Sequence, residues 1–213
     1  MIETVKIDGQ VWMAKDLDVN HFRNGDVIPH AQSMDVWNWA GENKIPAWRF
    51  AVDEHSKNPR HENHGKLYNW YAVNDPRGLA PLGWRIPHKV DWNGLIDHLG
   101  GRESAAFKLK SKTGWLPGNE GSNESNFNAI AYETVFTKRD GKIHDHFKFQ
   151  EVRFWCSSES AFNYNAMLRY ADGLYITHHN SASCGDHPKG GGLAVRCLKN
   201  RNGVYHPDGY DLF

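Results

Sequence analysis

The stretch TVKIDGQVWM, residues 4–13, carries the clearest local structural signal in the chain and determines how the fold begins. Val5 and Ile7 alternate with polar residues, and a second apolar run starts at Val11, after the dipeptide Asp8-Gly9. Asp-Gly is a preferred pair for a two-residue hairpin turn, in which both residues take positive φ. The first thirteen residues are therefore predicted to form a β-hairpin.

The opposite end of the chain carries a second strand signal. Residues 193–198, with the sequence LAVRCL, alternate between two faces in the way that is typical of a closing strand. Strands at both ends with helices between them predict an α+β fold in which the N- and C-terminal strands pair. Because no repeat, linker or low-complexity tract interrupts the sequence, residues 1–213 are predicted to form a single domain.

Two or three short helices are predicted between the terminal strands. Residues 65–72 favour a short helix that ends before Asp75-Pro76, and residues 83–87 favour a brief strand. A clear amphipathic helix ends at Gly100-Gly101 and places four apolar residues at helical spacing, namely Trp92, Leu95, Ile96 and Leu99. A further helical turn is expected at residues 105–109.

Residues 18–64 show no sustained period. Gly, Pro, Asn and charged residues are frequent there, which predicts a loop-rich, irregular insertion. Its expected anchors are the large aromatic residues Trp37, Trp39, Trp48 and Phe50.

The C-terminal half is predicted to be β-structure and loops. Residues 127–136 alternate, and Asp140-Gly141 is expected to turn into a strand over residues 143–149. Residues 154–156 form a short apolar run. A second hairpin is predicted with its turn at residues 171–173, which have the sequence Ala-Asp-Gly.

The composition disfavours several classes of partner. Lys plus Arg and Asp plus Glu each number 25, so the formal net charge is zero, which favours neither nucleic acid nor an anionic membrane as a partner. No run of about 18 apolar residues predicts a membrane span. The first residues show no charged region followed by an apolar one, so no secretory signal peptide is predicted.

Short motifs recur in order along the chain. They are DGQVWMA (residues 8–14), GKLYNW (65–70), PLGWRIP (81–87), LGG (99–101), KLKS (108–111), GW (114–115), WCSSE (155–159) and VRCLK (195–199). Together they resemble the Fibrobacter succinogenes major paralogous domain. This family commonly has Ser where Cys156 stands, and a small capping residue where His88 stands.

The resemblance implies a C-type-lectin-like fold in a bacterial protein that is usually surface-exposed or secreted. The same fold underlies formylglycine-generating enzymes and the variable proteins that retroelements diversify. The calcium site of true C-type lectins needs a Glu-Pro-Asn or Gln-Pro-Asp loop and a Trp-Asn-Asp strand. Neither is present, because Trp92-Asn93-Gly94 falls on a predicted helix and Asn58-Pro59-Arg60 lacks the carboxylate. We therefore expect calcium-independent binding.

No cofactor or metal is expected from the histidines or cysteines. With thirteen histidines in the chain, close pairs such as His144 and His146, or His178 and His179, favour hydrogen-bonding roles over metal ligation. The three cysteines, which are Cys156, Cys184 and Cys197, show no CxxC spacing, so free thiols are favoured and a Cys156–Cys197 bridge stays open.

The sequence favours a binding protein over an enzyme. Formylglycine-generating chemistry needs a close cysteine pair, and Cys184 and Cys197 stand thirteen residues apart. An oxidase of that type using Cys184 or Cys197 remains the first alternative. A structural domain of a tail fibre or surface appendage is the second.

Residues 160–188 are the most informative segment for function. They are rich in Asn, Tyr, His, Ser and Asp, which make adaptable contacts in binding surfaces. Lys, Glu, Gln, Met and Trp supply 40 of the 213 residues, so about five are expected in these 29 positions, yet only Met167 occurs. Those five types are the ones that mutating the adenines of AAC or AAT codons cannot produce. The pattern resembles a retroelement-diversified segment, although family members without a retroelement also carry loops rich in these residues.

The leading hypothesis is therefore a receptor-recognition or adhesin-type module. Its partner is expected to be a protein or glycan on a cell or virion surface, with a protein favoured. Because side chains alternate along a strand, only part of the candidate set is expected to face the ligand. The candidate ligand-binding residues are Asn163, Tyr164, Asn165, Arg169, Tyr170, Asp172, Tyr175, Thr177, His178, His179, Asn180, Ser181 and Ser183.

Overall fold

A computed structural model of the protein describes residues 1–50, 65–132, 151–161 and 169–200. Over these ranges the architecture is α+β, with helices and small antiparallel sheets, as the sequence predicts. The elements are, in chain order, β1 (Thr4–Ile7), β2 (Gln10–Met13), α1 (Met34–Glu42), β3 (Trp48–Phe50), β4 (Lys66–Tyr68), α2 (Trp70–Val73), β5 (Trp84–Arg85), α3 (Lys89–His98), α4 (Arg102–Leu109), β6 (Glu151–Glu159), β7 (Tyr170–Thr177), β8 (Ser181–Pro188) and β9 (Leu198–Lys199).

The first sheet confirms the predicted hairpin and the pairing of the two ends of the chain. Asp8 and Gly9 both take positive φ, at 49° and 72°, so β1 and β2 are joined by the expected tight turn. β9 lies antiparallel to β2, with Trp12 opposite Leu198, and β5 flanks β9. The closing strand is shorter than predicted: residues 193–197 are buried, and of these only Leu193 and Ala194 form isolated bridges, to Tyr68 and Phe154.

The helices α3 and α4 are confirmed. His88 caps α3: its Nδ1 accepts a hydrogen bond from the Val90 N–H, and the Asp91 carboxylate accepts one from the His88 N–H at 2.7 Å. Nδ1 can accept only when it is unprotonated, and burial lowers the pKa of His88 accordingly. α4 begins at Arg102, three residues before the predicted helical turn.

The prediction of an irregular segment over residues 18–64 holds for residues 18–33 but not for residues 34–42 and 48–50, which form α1 and β3. Ser33 caps the nine-residue helix α1, whose Trp37 is fully buried, whereas Trp39 is exposed. β3 pairs with β4, so residues 66–68 form a strand rather than the start of a helix. Asn69 caps α2 immediately afterwards.

The predicted strand from residue 127 is not formed over residues 127–132. These residues instead make a buried connection, with one isolated bridge between Ala129 and Lys110. The remainder of that prediction, the Asp140-Gly141 turn and the strand over residues 143–149 lie outside the described residues.

An aromatic core links the terminal sheet to α3 and β6. The Trp12 ring centroid lies 4.7 Å from that of Trp92, which in turn lies 5.7 Å from that of Phe154. The buried Arg196 guanidinium lies over the Phe127 ring at 4.4 Å and forms an ion pair with Asp16. These contacts fix the sheet that carries the candidate site.

That sheet has the order β6-β7-β8, and it corrects the predicted second hairpin. Residues 170–177 form one continuous strand, so Ala171-Asp172-Gly173 is not a turn. Gly173 instead packs closely in the strand, because a Cβ there would make tight contacts with Leu193 Cδ1 at 3.1 Å and the Phe154 carbonyl oxygen at 3.2 Å. The turn lies at residues 178–180, seven residues further on.

Candidate ligand-binding hairpin

β7 and β8 form a long, regular hairpin. They pair without a break from Tyr170 opposite Pro188 to Thr177 opposite Ser181. Asn180 takes a φ of 53°, and its N–H donates to the Thr177 carbonyl oxygen at 3.2 Å. Asn is one of the few non-glycine residues that adopt the left-handed conformation readily, and three-residue hairpin loops need it near their end.

The two faces of the hairpin have different environments. On the inner face Leu174, Ile176 and Ala182 are fully buried and belong to the core that includes α3 and α4. On the outer face Thr177 and Ser183 are only partly buried. The alternation predicted from the sequence therefore divides the candidate residues between core and surface.

We define the hairpin tip as residues 177–181. His179 and Asn180 are exposed, and His178 is partly exposed. The two imidazole ring centroids are 3.7 Å apart. The tip thus presents two imidazoles, an amide and two hydroxyl groups on a short loop that is held by paired strands.

The predicted residues do not form one continuous surface. Arg169 is exposed and Tyr170 partly buried, but both stand at the opposite end of the hairpin from Thr177. The seven residue-to-residue steps from Tyr170 to Thr177, at about 3.3 Å each, separate the two residues by roughly 23 Å. The candidates Asn163, Tyr164 and Asn165 lie outside the described residues.

Asp172 has a structural environment rather than a binding one. It is buried, and its Oδ1 accepts from Lys89 Nζ at 2.8 Å while its Oδ2 accepts from Ser158 Oγ at 2.9 Å. Both carboxylate oxygens are engaged, which joins the start of α3 to the inner face of the sheet. We therefore do not include Asp172 in the proposed binding surface.

Tyr175 is held within a cluster on the outer face. Its ring lies 4.4 Å from the Arg153 guanidinium carbon, and its hydroxyl donates to the Asp186 carbonyl oxygen at 2.5 Å. Burial raises the pKa of Tyr175. Arg153 in turn forms an ion pair with Glu151 at 2.7 Å. Through these contacts Tyr175 stabilises the hairpin below the tip.

Sequence reasoning missed the partners of Tyr175. Glu151 and Arg153 alternate with the buried Val152 and Phe154, a pattern that could have assigned both to one face of β6. His187 is also buried beside this cluster, where burial and the Arg153 charge hold its pKa well below the ordinary value.

The cysteines are free thiols, as the sequence favours, and the bridge between Cys156 and Cys197 is absent. Cys197 is fully buried, which raises its pKa to about 12. Cys156 is also fully buried, which raises its pKa well above the ordinary value, whereas Cys184 is partly exposed.

The described structure defines an α+β domain that presents a long, polar-tipped hairpin from a three-stranded sheet. The chain belongs to the Fibrobacter succinogenes major domain family, whose model matches residues 5–199. The family predicted from the short motifs is thereby confirmed. No curated protein and no solved structure matches the chain. Within the described ranges, every helix is too short or too polar to cross a membrane.

Proposed function

We propose that this protein is a ligand-binding module of the receptor-recognition or adhesin type, and that the hairpin tip contacts the ligand. The observation that carries the proposal is the exposure of His179 and Asn180, with the partly exposed His178, at the end of a fully paired hairpin. Paired strands hold the tip in place, so little conformational entropy is lost when a ligand binds.

The chemistry of the tip favours neutral, adaptable recognition. Its hydroxyl, amide and imidazole groups can each donate or accept hydrogen bonds, depending on the partner. The tip has no carboxylate among its five residues, so a hard cation such as Ca²⁺ would lack its preferred ligand there. We therefore propose calcium-independent binding without catalysis, on a C-type-lectin-like fold.

The proposed partner is a protein or glycan on a cell or virion surface, with a protein favoured. A narrow tip fits a concave site on a folded partner, in the way that long paratope loops insert into clefts. The paired ends of the chain, and the separate sheet that packs against α3 and α4, are compatible with the lectin-like fold.

We also propose that a retroelement diversifies residues 160–188, but only at their exposed positions. Exposed positions such as His179 and Asn180 can change without disturbing the core, whereas Asp172 and Tyr175 are fixed by buried contacts. If the segment is diversified, variation should be concentrated at the tip and at other exposed positions. A near-copy of the DNA for residues 160–188 that differs at adenines, beside a reverse transcriptase gene, would support this. Differences spread evenly over buried codons would contradict it.

The binding proposal is tested with the purified full chain on panels of surface proteins, glycans and intact bacterial cells. For the highest-affinity target, we expect H178A/H179A to weaken binding about tenfold or more, because central interface residues carry most of the affinity. Unchanged binding by this double variant would contradict the assignment of the tip.

Two control variants distinguish ligand binding at the tip from binding elsewhere on the molecule. His98→Ala removes an exposed imidazole from the end of α3, and we expect it to leave affinity unchanged. Arg169→Ala changes the opposite end of the hairpin. A loss of binding in Arg169→Ala together with normal binding in H178A/H179A would place the ligand at that end instead.

A further inference from the structure

One titratable side chain, His187 in β8, is enclosed on the outer face of the sheet beside Tyr175. The residue is almost completely buried, with 1% of its surface exposed. The Arg153 guanidinium approaches it from β6, with Nη1 3.3 Å from His187 Nδ1, and the Tyr175 hydroxyl oxygen of β7 lies 3.5 Å from the same nitrogen. The Trp155 ring packs edge-on, with 5.3 Å between the ring centroids. His187 therefore contacts side chains from both other strands of the sheet.

The opposite edge of the imidazole is confined by backbone. A Cβ placed at Gly191 would lie 2.3 Å from His187 Nε2, closer than two non-bonded atoms can approach. The Gly191 N–H donates to the Pro188 carbonyl oxygen at 2.9 Å, which holds this turn against the ring. The same turn carries Lys189, which pairs with Glu159 at 2.9 Å. The imidazole thus fills the space between a guanidinium and a tight turn.

The hydrogen bond from Arg153 determines which nitrogen of His187 carries the proton. A guanidinium has only donors and keeps its charge in proteins. Nδ1 must therefore accept, which it can do only when it is unprotonated. The Tyr175 hydroxyl, whose pKa is raised by burial, donates its proton to the Asp186 carbonyl oxygen instead. His187 is accordingly neutral in the folded protein, with its single proton on Nε2.

The charges around His187 oppose the uptake of a second proton. Burial and the Arg153 charge hold the pKa of His187 well below its ordinary value. The carboxylates nearby are engaged by other groups: Glu151 pairs with Arg153 at 2.7 Å, and Asp186 accepts from Ser160 Oγ at 2.5 Å. Protonation of Nδ1 would place two cations against each other in a site of low dielectric, where their repulsion is much larger than in water.

His187 stands at the end of the hairpin that is remote from the tip. It pairs with Ala171, and the pair of Tyr170 and Pro188 comes next on the side away from the tip. We define the hairpin base as these two pairs. Six further pairs follow from there to Thr177–Ser181. Strands can open locally at one end while the remaining pairs stay formed, so the base can open without the tip.

We propose that His187 is an acid-sensitive switch: protonation of its imidazole forces the ring away from Arg153 and opens the hairpin base. An open base exposes the imidazole to water, where its pKa returns to about 6.5. Below that pH the open state binds more protons than the closed one. The closed base therefore keeps its full stability above about pH 6.5 and loses stability as the pH falls from there towards the pKa of the closed state. The switch does not require the tip to bind a ligand.

Native-state hydrogen exchange of the full chain tests the switch. Amide exchange rates are measured at pH 7.5 and pH 5.5 and divided into the rates of unstructured peptides at the same pH, which gives protection factors. Uptake of one proton should lower the factors of residues 170–173 and 185–187 about tenfold between the two pH values. Residues 174–177 should change less. Equal protection of the base at both pH values would overturn the proposal, as would an equal loss over residues 174–177, which would mean that the whole hairpin opens.

The protonation state can be read directly from the imidazole nitrogens. In nitrogen NMR of the labelled chain, His187 should be the neutral Nε2–H tautomer at pH 7.5. A charged ring, or a proton on Nδ1, would contradict the hydrogen bond from Arg153 on which the switch depends.

Variants identify the group that titrates. His187→Gln cannot take up a proton in this range but keeps a carbonyl oxygen that can accept from Arg153, so protection of the base should change less than about twofold between the two pH values. His187→Asn serves the same purpose if the Gln variant does not fold. His88→Ser is the matched control, because it removes another histidine whose pKa burial lowers and supplies a hydroxyl that can cap α3. It should keep the tenfold response. A response lost in His88→Ser, or retained in His187→Gln, would assign the acid sensitivity to another group.

Discussion

The inner face of the sheet and the hairpin tip are built from neighbouring residues of the same two strands, but the residues of the inner face are buried whereas those at the end of the tip are exposed to solvent. On the inner face Leu174 and Ile176 are fully buried, and Asp172 has both carboxylate oxygens hydrogen-bonded. At the tip His179 and Asn180 face solvent. A residue type such as Asp or Tyr in residues 160–188 therefore does not indicate a role by itself. Its position in the strand alternation decides between stability and recognition.

Among these variants, Arg196→Ala in the core is expected to lower the free energy of unfolding the most. Removal of the guanidinium leaves the buried Asp16 carboxylate and the Phe127 carbonyl oxygen without their partner. We expect a loss of about 3–5 kcal/mol in the free energy of unfolding, measured by urea denaturation. Lys15→Ala, which breaks an exposed pair with Glu3, is the control and should cost about 1 kcal/mol or less. If the two changes lowered the free energy of unfolding equally, the buried ion pair would contribute no more stability than the exposed one.

Lys110 tests the cost of a charge in the core. The residue is buried, its ammonium lies 4.7 Å from the Trp115 ring centroid, and no described residue accepts a hydrogen bond from it. Burial lowers its pKa from 10.5 to about 8. Between these pH values the unfolded chain binds more protons than the folded one, so stability contributed at this site rises with pH.

The measurement compares the wild type with Lys110→Met, which keeps an unbranched apolar side chain and removes the ammonium group. We expect Lys110→Met to be the more stable at pH 7, and its advantage to shrink by roughly 2 kcal/mol on going to pH 10. An advantage that is constant with pH would show that the Lys110 ammonium is not destabilised by burial.

Tyr175→Phe tests whether the Tyr175 hydroxyl stabilises the hairpin below its tip. It removes the hydrogen bond to the Asp186 carbonyl oxygen but keeps the ring beneath Arg153. We expect a loss of about 1 kcal/mol in thermal or urea unfolding. Ligand binding at the tip should be unchanged. A large loss of affinity with little loss of stability would place Tyr175 in direct contact with the ligand.

The smallest effect is expected at the tip itself. His179→Ala should change the free energy of unfolding by about 0.5 kcal/mol or less, because the side chain is exposed. Asn180→Gly should be equally mild, since glycine also accepts a φ of 53°. Asn180→Val should cost about 1 kcal/mol or more, because a β-branched residue is strained there. If Val were tolerated as well as Gly, the loop conformation would not depend on this position.

The elements that could be predicted from the sequence are those set by local signals. Asp8-Gly9 marks a turn between adjacent strands, and Trp92 and Leu95 share one face of a single helix. Residues 66–68 were predicted as helix because their strand partner, Trp48–Phe50, lies far away in the sequence. Only a pairing that the local pattern does not contain makes them a strand.

The same limit applies to the candidate site. Asp172-Gly173 has the sequence of a turn, but Gly173 lies within β7 close to Leu193, and the actual turn uses the less obvious Asn180. The register shift in β6 between Trp155 and Glu159 is a bulge, which no spacing rule predicts. The polar character of residues 160–188 was visible in the sequence, but the division between tip and core was not.

The uninterrupted register of β7 and β8 has a consequence for how this protein can change over time. Eight consecutive residue pairs, from Tyr170–Pro188 to Thr177–Ser181, set the register of the hairpin, and the side chains of residues 178 and 179 take no part in that pairing. Substitutions at residues 178 and 179 are therefore expected to change the free energy of unfolding little. Under the proposed binding function, new specificities could then arise at these two residues while the fold is kept, because the fold and the specificity would be encoded by different codons.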